Sequence, residues 1–361
     1  MHNRFVTLSG VAAVSIAVVA AMSWRIAGQA PRKATAKPYA PPRTADGHPD
    51  LQGTYDVATL TPLERPAGAK VVLTDEEAAK LEKQVAARDE AGKRPLAANR
   101  AAPPKGGDGS VGPLGNVGGY NNFWVDPGSS YTIVDGEKRT SIIVDPPDGR
   151  VPPLTPAARQ RAAARLARPT SDATESRDAG LEPAGSYDDP ERRPLGERCL
   201  LGFGSTAGPP ALPNYFYNNL HQIVQTPDSV MILTEMVHDA RIVRMNATHL
   251  PRTIRKWMGD SVGHWEGDTL VVDTTNFTDK TRYRGSTEGL HVTERFSRVA
   301  DHALLYRFTI EDPSTWAKPW TGEYTWPATN ERIFEYACHE ANYALGNILR
   351  GARLREREGK N

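Results

Sequence analysis

Five ionisable side chains in the second half of the chain could carry acid–base chemistry. They are Glu235, His238, Asp273, Glu294 and His339. Alternation along three predicted strands puts the three carboxylates among apolar neighbours, where loss of hydration raises a carboxyl pKa unless a partner faces it. Such a group can exchange a proton near neutral pH, as general acid–base catalysis requires. The pattern predicts a polar cavity inside a β-shell; solvent-facing acids or structural ion pairs are the alternative, since strand faces are easily misassigned.

Two arginines and two tryptophans are the predicted ligand-binding side chains. Arg241 and Arg295, together with His238, are candidate partners for the predicted acids. Trp316 and Trp320 lie beside prolines in a predicted loop, so their rings could stack on a ligand at the rim of the cavity. Packing in the core is the alternative for the tryptophans in this half of the chain.

The sequence predicts neither a metal site nor a cofactor site. His264 and Glu266 alternate as metal ligands on a strand can, but the Glu-Gly-Asp at 266–268 is more simply a hairpin turn. Residues 107–112 match a dinucleotide-binding glycine pattern without the strand and helix that such a site needs. We find no other nucleotide, flavin or haem motif, so we expect no cofactor.

Cys199 and Cys338 are the two cysteines of the chain. In an oxidising compartment they suggest one bridge, closing a loop of about 140 residues and worth on the order of 4–5 kcal/mol in the chain-entropy model. Two separate buried thiols are the alternative. A bridge would bring Glu197 close to His339, and a histidine beside a carboxylate is either a general base or a hydrogen-bonded support.

An apolar run near the N-terminus predicts export. Residues 5–22 carry no charge, Arg4 precedes them and small residues crowd their end, as in a secretory signal peptide. Basic residues after the run favour an uncleaved membrane anchor instead. We assign 1–30 to this leader or anchor, and 31–50, rich in Pro, Ala and Lys, to an extended tether. The predicted location is periplasmic or extracellular.

The charge balance argues against one class of partner. Lys and Arg total 44 and Asp and Glu total 43, a formal net charge of +1. Proteins that bind nucleic acid usually carry a basic excess. We therefore expect a small-molecule ligand or substrate, no nucleic acid, and a membrane contact only through an uncleaved leader.

The elements that must position these side chains are mostly strands. From about residue 220 onward, strand-like segments recur between short turns, which is typical of an antiparallel meander forming a barrel or a sandwich. The segments are 221–225, 230–238, 240–245, 269–277, 290–299, 303–311, 322–326 and 332–337, preceded by candidates at 50–57, 120–125, 130–134 and 140–144.

Short helices and long Gly- and Pro-rich loops are predicted around this sheet. Thr74 and Glu77 form a capping box that starts a helix. A second helix begins at Thr155 and Pro156 and ends before Pro169. The predicted ranges of the first helix and of a short C-terminal helix are 74–91 and 347–357.

The predicted fold is mainly β and built as one domain. That domain covers 51–345 and carries a helical and loop insertion at about 150–215. A C-terminal helix and tail follow over 346–361. Within the insertion, residues 170–198 have little apolar content, which indicates a long wrapping segment.

Several blocks resemble a family of uncharacterised exported bacterial proteins. The blocks are ADGHPDLQGTYD (45–56), TSIIVDPPDGRVPPLTP (140–156), GDSVGHWEGDTLVVDTTNF (259–277), LHVTERFSR (290–298) and YACHEANYALGNILRGA (336–352). This resemblance implies export but brings no activity. The chain is also similar to lipocalin-like barrels, because Gly53-Thr54-Tyr55 stands where those proteins have Gly-x-Trp on the first strand. This similarity implies a barrel.

Three functions are compatible with these residues. The first is an exported soluble protein that binds a small, amphipathic ligand in a partly polar cavity. The second is a cofactor-independent hydrolase, lyase or isomerase that uses the carboxylates and histidines of the same cavity. The third is an envelope interaction protein. A raised carboxyl pKa in a cavity favours the enzyme, and an apolar cavity with few polar groups favours the binding protein.

Overall fold

A computed structural model describes residues 39–92, 126–166, 187, 189–202, 208–213, 217–281, 283–340 and 342–359. The chain divides into two compact units, residues 1–40 and 41–361. Every helix and strand named below belongs to the second unit. The predicted leader (1–30) and the predicted strand at 120–125 lie outside the described residues.

Strands dominate the described part of the chain. They are β1 (Gly53–Asp56), β2 (Val72–Leu73), β3 (Ile133–Val134), β4 (Glu137–Arg139), β5 (Ile143–Asp145), β6 (Leu220–Gln225), β7 (Ser229–Thr234), β8 (Asp239–Met245), β9 (Asp260–Glu266), β10 (Thr269–Thr275), β11 (His291–Ala300), β12 (Ala303–Glu311) and β13 (Trp320–Thr329). The α-helices are α1 (Asp75–Gly92), α2 (Pro156–Leu166) and α3 (Tyr343–Arg357). Short 3₁₀ turns cover Pro190–Arg192, Met236–His238 and Tyr283–Gly285. Within the described ranges, we find no helix long and apolar enough to cross a bilayer.

Nine strands form a closed barrel in the order β1-β6-β7-β8-β9-β10-β11-β12-β13. Pairing of β1 with β13 closes the sheet, with Thr54 opposite Thr329 and Tyr55 opposite Ala328. β5 pairs with the first residues of β13, and β2, β4 and β3 form a small separate sheet. The predicted mainly β fold with peripheral helices is confirmed. Of the two predicted architectures, barrel and sandwich, the structure is a barrel.

The pairing of β8 with β9 is parallel, whereas the other strand pairs of the described sheets are antiparallel. A parallel pair needs a crossover connection rather than a hairpin, and residues 246–259 supply it. β9 is absent from the predicted strands because Gly259 and Gly263 obscure its alternation. A Cβ at Gly263 would lie 2.7 Å from Val243 Cγ1, so glycine allows the close approach of the two strands.

Local capping fixes the beginnings of α1 and α2. The Thr74 amide donates to Glu77 Oε2 (3.0 Å), and the Glu77 amide donates to Thr74 Oγ1 (3.2 Å), which confirms the predicted capping box. At α2, the Ala158 amide donates to Thr155 Oγ1 (3.1 Å). Ala78 is buried on α1.

Alternation along β12 fills the barrel with large side chains. Leu304, Tyr306, Phe308 and Ile310 face the interior and have no exposed surface. Gly322 on β13 faces Phe308 so closely that a Cβ would overlap the ring. Because a side chain without accessible surface borders no water-sized space, this part of the interior is packed like an ordinary protein core.

Residues 208–213 are all buried and contact the interior face of the barrel. The Ala211 amide donates to the Tyr306 hydroxyl (3.0 Å), and the Tyr324 hydroxyl donates to the Ala211 carbonyl oxygen (3.0 Å). Three of the six residues are prolines, which have no N–H, so few backbone groups in the segment need a buried partner. Part of the predicted loop insertion therefore belongs to the core.

Part of the predicted tether packs against the barrel. Within residues 41–50, Arg43 and Pro49 form a bridge that closes a turn. The His48 ring stacks on Trp265 with ring centroids 4.8 Å apart and planes within 5° of each other. The extended-tether prediction is therefore wrong for this stretch, because specific contacts hold it on β9.

The strand predicted at 332–337 is not present. These residues follow β13 without sheet pairing. The Phe334 amide donates instead to Glu235 Oε1 (3.0 Å), so a side chain takes the place of a neighbouring strand. The apolar residues of the segment produced a strand-like pattern, but its polar backbone groups find other partners.

Candidate functional site

The three predicted carboxylates do not meet in one cavity. Glu294 pairs in register with Val272, and both face the interior without exposed surface. Asp273 is one residue further along β10, opposite Thr293, and so faces outward. Glu235 follows the last residue of β7 and is only 4% exposed. The prediction that the three acids share one cavity is wrong, because Asp273 lies on the outer face of the sheet and Glu235 lies beyond the end of β7.

Glu294 is paired with Arg241 inside the barrel. Both terminal guanidinium nitrogens donate to the carboxylate, with Nη2 2.8 Å from Oε1. The Tyr306 hydroxyl donates to the same Oε1 (2.8 Å), while Ser261 Oγ contacts Arg241 Nη1 (3.4 Å) and Thr274 Oγ1 (2.8 Å). Burial and the Glu294 charge raise the pKa of Tyr306, which keeps its hydroxyl protonated as a donor. The prediction that Arg241 partners an acid is confirmed.

His221 is a further buried polar group in the barrel. Its Nδ1 donates to the Asn219 carbonyl oxygen (3.3 Å), and its ring lies 5.1 Å from that of Trp326. Burial lowers the pKa of His221 to about 4, so the imidazole is neutral at physiological pH. Among the described residues, side chains fill this part of the interior, and the predicted interior cavity is not found beside Glu294 or His221.

Glu235, His238 and Asp239 lie at one rim of the barrel. The register places them there, because Thr234 at the end of β7 pairs with Asp239 at the start of β8. His238 is exposed, and its Nδ1 donates to the Tyr336 carbonyl oxygen (3.1 Å). Glu235 and His238 therefore both hold the segment that follows β13. Their catalytic roles stay predictions.

The turn between β7 and β8 has strained backbone. Val237 and His238 have φ values of 61° and 48°. The left-handed region costs a residue with a side chain roughly 1–2 kcal/mol, and a β-branched residue such as Val237 is rare there. The surrounding structure enforces this conformation, which also sets the start of β8. Strain of this kind is frequent at functional sites.

Two aspartates at the same rim have raised pKa values. Burial raises the pKa of Asp239 to about 7, although the neighbouring His238 and a backbone amide oppose the rise. Burial also raises the pKa of Asp56, at the end of β1, to about 6 despite a backbone hydrogen bond. Nearby acids add to the rise at Asp56; they are Asp126, Glu331 and Glu235. Sequence analysis did not select Asp56 or Asp239, since their burial depends on segments distant in the chain.

Asp273 stands in a chain of alternating carboxylates and imidazoles on the outer face of the barrel. Its Oδ1 lies 2.8 Å from His249 Nε2, and its Oδ2 lies 2.5 Å from His291 Nε2. On the other side of each ring, His249 Nδ1 lies 3.2 Å from Asp260 Oδ2, and His291 Nδ1 lies 3.1 Å from Glu311 Oε2. Sequence analysis missed His249 as a partner, because it belongs to the crossover connection, which has no regular pattern.

This row of hydrogen-bonded side chains favours the charged form of His291. Hydrogen bonding to Asp273 raises the pKa of His291 despite partial burial. Burial opposes ionisation of Asp273, but hydrogen bonds from His291 and His249 outweigh it and lower the pKa of the carboxyl. The arrangement therefore fastens the crossover connection to β10 and β11 electrostatically.

The predicted disulfide Cys199–Cys338 is present, with its Cα atoms 5.8 Å apart. It does not create the predicted histidine–carboxylate pair. Both carboxylate oxygens of Glu197 accept hydrogen bonds from Arg193 (2.8 Å each), and His339 is exposed. The pairing is wrong because Arg193, four residues earlier in the chain, holds the carboxylate. The bridge region instead anchors α3, since Asn342 Nδ2 donates to the Glu197 carbonyl oxygen (2.6 Å).

The other predicted ligand-binding residues lie in two different settings. Arg295 pairs with Glu266 (2.6 Å) on the outer face, with both side chains well exposed. Trp316 and Trp320 are 3% and 0% exposed, and their rings meet nearly at right angles. A rim position is wrong for both tryptophans, because both are buried members of the hydrophobic core.

A cavity of about 460 Å³ lies between α2 and the turn at residues 283–288. Its apolar wall consists of Leu154 and the α2 alanines Ala158, Ala162 and Ala164. Its polar wall includes Arg161, Arg284, Ser286, Thr287, Asp279 and Glu288. Sequence analysis did not find this cavity, because its walls are more than 100 residues apart in the chain.

Comparison with known proteins does not assign the chain to a group. No protein-family profile matches the sequence, and no curated protein matches it. Within the residues that the structure describes, no group of three or more His, Cys, Asp or Glu side chains is arranged to hold a metal ion.

Replacing Glu294 with glutamine should destabilise the protein strongly. The substitution Glu294→Gln leaves the Arg241 charge buried without its counter-charge, which typically costs about 3–5 kcal/mol. Glu266→Gln is the matched control, because it breaks the exposed pair with Arg295, worth about 1 kcal/mol or less. Urea denaturation of both variants measures the difference. Equal, small losses would show that the buried pair is not needed for the fold.

The substitution His291→Gln should reduce stability in a pH-dependent way. Because the folded-state pKa of His291 is raised, its contribution is complete below the unfolded value of about 6.5 and is lost as the pH rises through the folded value. With the side chain one-third exposed, we expect a loss of about 1 kcal/mol at pH 6 and a smaller loss at pH 9. Denaturation at the two pH values tests this. The more exposed His264→Gln is the control, and a loss that grows with pH would contradict the assignment.

Proposed function

We propose that the protein is an exported binding protein that takes a small amphipathic carboxylic acid into the cavity between α2 and residues 283–288. One observation carries the proposal: a cavity of about 460 Å³ that is lined both by apolar side chains and by two arginines. Cavities that bind small molecules commonly enclose about 300–1,000 Å³ and combine apolar walls with a few polar groups.

The apolar wall suits a short hydrocarbon chain. It is made by Leu154 and by alanines of α2, whose small side chains leave the space open. Ala158, one of these alanines, is buried. Burying apolar ligand surface here gains about 25 cal/mol for each Å² removed from water, which supplies the non-specific part of the affinity.

The polar wall suits a carboxylate. Arg161 Nη2 donates to the Ser314 carbonyl oxygen (3.0 Å) and to Thr315 Oγ1 (3.2 Å), which orients the guanidinium beside the cavity. Arg284 is oriented in the same manner by Glu64 (2.8 Å). A guanidinium has five N–H donors in a planar fork that matches a carboxylate. These contacts use Nη2 of each arginine.

Ser286 adds a hydrogen-bonding group at the same wall. It is 3% exposed, and in the described part of the chain its Oγ has no hydrogen-bond partner. A buried hydroxyl without a partner typically costs about 1–3 kcal/mol, which a ligand oxygen would offset. Asp279 and Glu288 also line the cavity, so a second negative charge on the ligand would be repelled. A monocarboxylate therefore fits better than a dicarboxylate.

Three observations support an exported location for this protein, periplasmic or extracellular. The disulfide Cys199–Cys338 requires an oxidising environment to persist. The apolar run at 5–22 has the form of a secretory leader. The blocks that resemble exported bacterial proteins agree with both. The similarity to lipocalin-like barrels supports ligand binding, but here the ligand would lie outside the packed barrel.

Calorimetric titration with decanoate tests this function. We expect saturable binding of one decanoate per chain, weaker binding of decanol and weaker binding of sebacate, the ten-carbon dicarboxylate. Arg161→Gln should weaken decanoate binding at least tenfold, since a hydrogen bond to a charged group contributes about 1.5–3 kcal/mol.

Arg159→Gln is the matched control for this titration. Arg159 lies on the same helix, but its Nη1 donates to the Leu154 carbonyl oxygen (2.8 Å) and it does not line the cavity. The variant should bind decanoate like the unmodified protein. Absence of binding, or an equal effect of the two substitutions, would refute the proposal.

A second candidate function is a cofactor-independent enzyme that uses acid–base chemistry at the barrel rim. The observation that favours it is Asp239, whose pKa is raised to about 7 next to the strained Val237–His238 turn. Asp239 Oδ2 is buried and has no hydrogen-bond partner among the described residues. A carboxylate kept in surroundings that disfavour its charge is a feature of catalytic acids and bases.

Thermal unfolding of Asp239→Asn tests the basis of this candidate. Ionisation of a carboxyl group with a raised folded-state pKa costs stability as the pH rises from the unfolded value of about 3.8 to about 7. Asparagine avoids that cost, so the variant should melt at a higher temperature than the unmodified protein at pH 8 and at a similar one near pH 4. Asp135→Asn, in an exposed turn, is the control. A lower melting temperature of Asp239→Asn at pH 8 would remove Asp239 as an acid–base candidate.

A further inference from the structure

We propose that α3 docks the protein on an anionic lipid surface. This inference is independent of the ligand cavity. The helix is 15 residues long and carries no buried side chain, so its apolar residues are not used in the core. It nevertheless has a defined apolar side and a strong positive charge, which together are typical of helices that lie in a membrane interface.

The apolar side of α3 is a narrow stripe. At about 100° per residue, its four members fall within an arc of about 100°. The members of the stripe are Leu345, Ile348, Leu349 and Ala352, all of them partly exposed. Glu356 extends the same stripe at its C-terminal end, where its Oε1 lies 3.4 Å from Arg353 Nη1. The first three turns therefore carry a continuous apolar stripe of intermediate burial, while the exposed Tyr343 and Leu354 lie on the opposite side of the helix.

Arginines flank this stripe on both sides. In the same projection, Arg353 lies about 80° to one side of Leu345 and Arg355 about 80° to the other, with Arg350 and Arg357 beyond Arg353. Long cationic side chains in these positions reach lipid phosphates while the stripe enters the apolar layer. The helix contains four arginines and one glutamate, a net charge of +3.

The base of α3 is held firmly on the fold. The Asn342 side chain accepts a hydrogen bond from the Leu345 amide (3.2 Å) as the N-cap and donates to the Glu197 carbonyl oxygen (2.6 Å). Glu197 lies two residues from Cys199, which is bridged to Cys338. The N-terminus of α3 is thus fixed to the rest of the fold. Binding to a surface therefore costs less conformational entropy than it would for a helix on a flexible tail.

Charge complementarity selects an anionic lipid surface as the occupant. The whole chain has a net charge of only +1, which conceals the positive charge of α3. From that whole-chain charge we expected a membrane contact only through an uncleaved leader. Each arginine near an anionic surface contributes about fivefold to binding. A second copy of the chain would bring an equal positive charge against α3, which disfavours self-association through this face.

Peptide-resolved hydrogen exchange of the full chain tests the docking. The probes are vesicles of phosphatidylglycerol and vesicles of phosphatidylcholine at 0.1 M and 0.5 M NaCl. We expect exchange of the α3 amides to slow only with phosphatidylglycerol and to recover at the higher salt concentration. Because the experiment measures exchange of the α3 amides themselves, attachment of the chain to vesicles through residues 5–22 is not counted as docking of α3.

A charge-matched pair of variants completes the experiment. The triple substitution Arg353→Gln, Arg355→Gln and Arg357→Gln should raise the lipid concentration for half-maximal protection by roughly 100-fold. The control removes three basic residues from the exposed side of α1, through Lys80→Gln, Lys83→Gln and Arg88→Gln, and should leave protection unchanged. Equal protection by both lipids, equal effects of the two variants, or protection that depends on protein concentration without lipid would each overturn the proposal. The last result would identify a second copy as the occupant.

Discussion

The buried pair between Arg241 and Glu294 is the interaction on which the interior of this barrel depends. It joins β8 to β11 across two intervening strands. The Tyr306 hydroxyl extends it from Glu294 to Ala211, and the Tyr324 hydroxyl completes the connection to β13. A charged pair costs desolvation energy in such a place, so its value lies in specificity: a slip of one residue in β11 would turn Glu294 outward and leave the arginine unpaired.

The packing around that pair decides where small molecules can be accommodated. A β-barrel of this size could hold a ligand, but aromatic side chains and residues 208–213 occupy the described interior. Space of molecular size occurs instead between α2 and the turn at 283–288, outside the sheet. The barrel rim at Asp239 and the row of hydrogen-bonded side chains through Asp273 differ from the packed interior, since both are partly open to solvent. The barrel thus acts as a rigid support for features placed around it.

Much of the sheet and its helices could be predicted from the sequence, because the relevant patterns are local. Alternation from Leu304 to Ile310 and the capping box at Thr74 each depend on neighbouring residues and a single face towards the core. β9 was missed because Gly263 removes a side chain where β8 comes close. The face of Glu294 was assigned correctly, and Arg241 was named as a partner, since an inward carboxylate requires a cation.

The functional geometry was harder to predict, because it depends on contacts between distant segments. Alternation alone placed Asp273 among apolar residues, yet its partners His249 and His291 come from a crossover connection and a neighbouring strand. Trp320 was predicted to lie in a loop because it follows Pro319, but it begins β13 and packs in the core. No periodic pattern indicates which helix will cover which turn. The cavity beside α2 therefore becomes visible only in three dimensions.

The disulfide has a topological consequence. Cys199 and Cys338 enclose a covalent ring that contains β6 to β13, eight of the nine barrel strands. β1 alone enters from outside that ring, and it seals the sheet by pairing with β6 on one edge and β13 on the other. The closed sheet therefore depends on the N-terminal residues of the domain. Without Gly53–Asp56, the disulfide-closed ring would have two unpaired strand edges, which can pair with other chains.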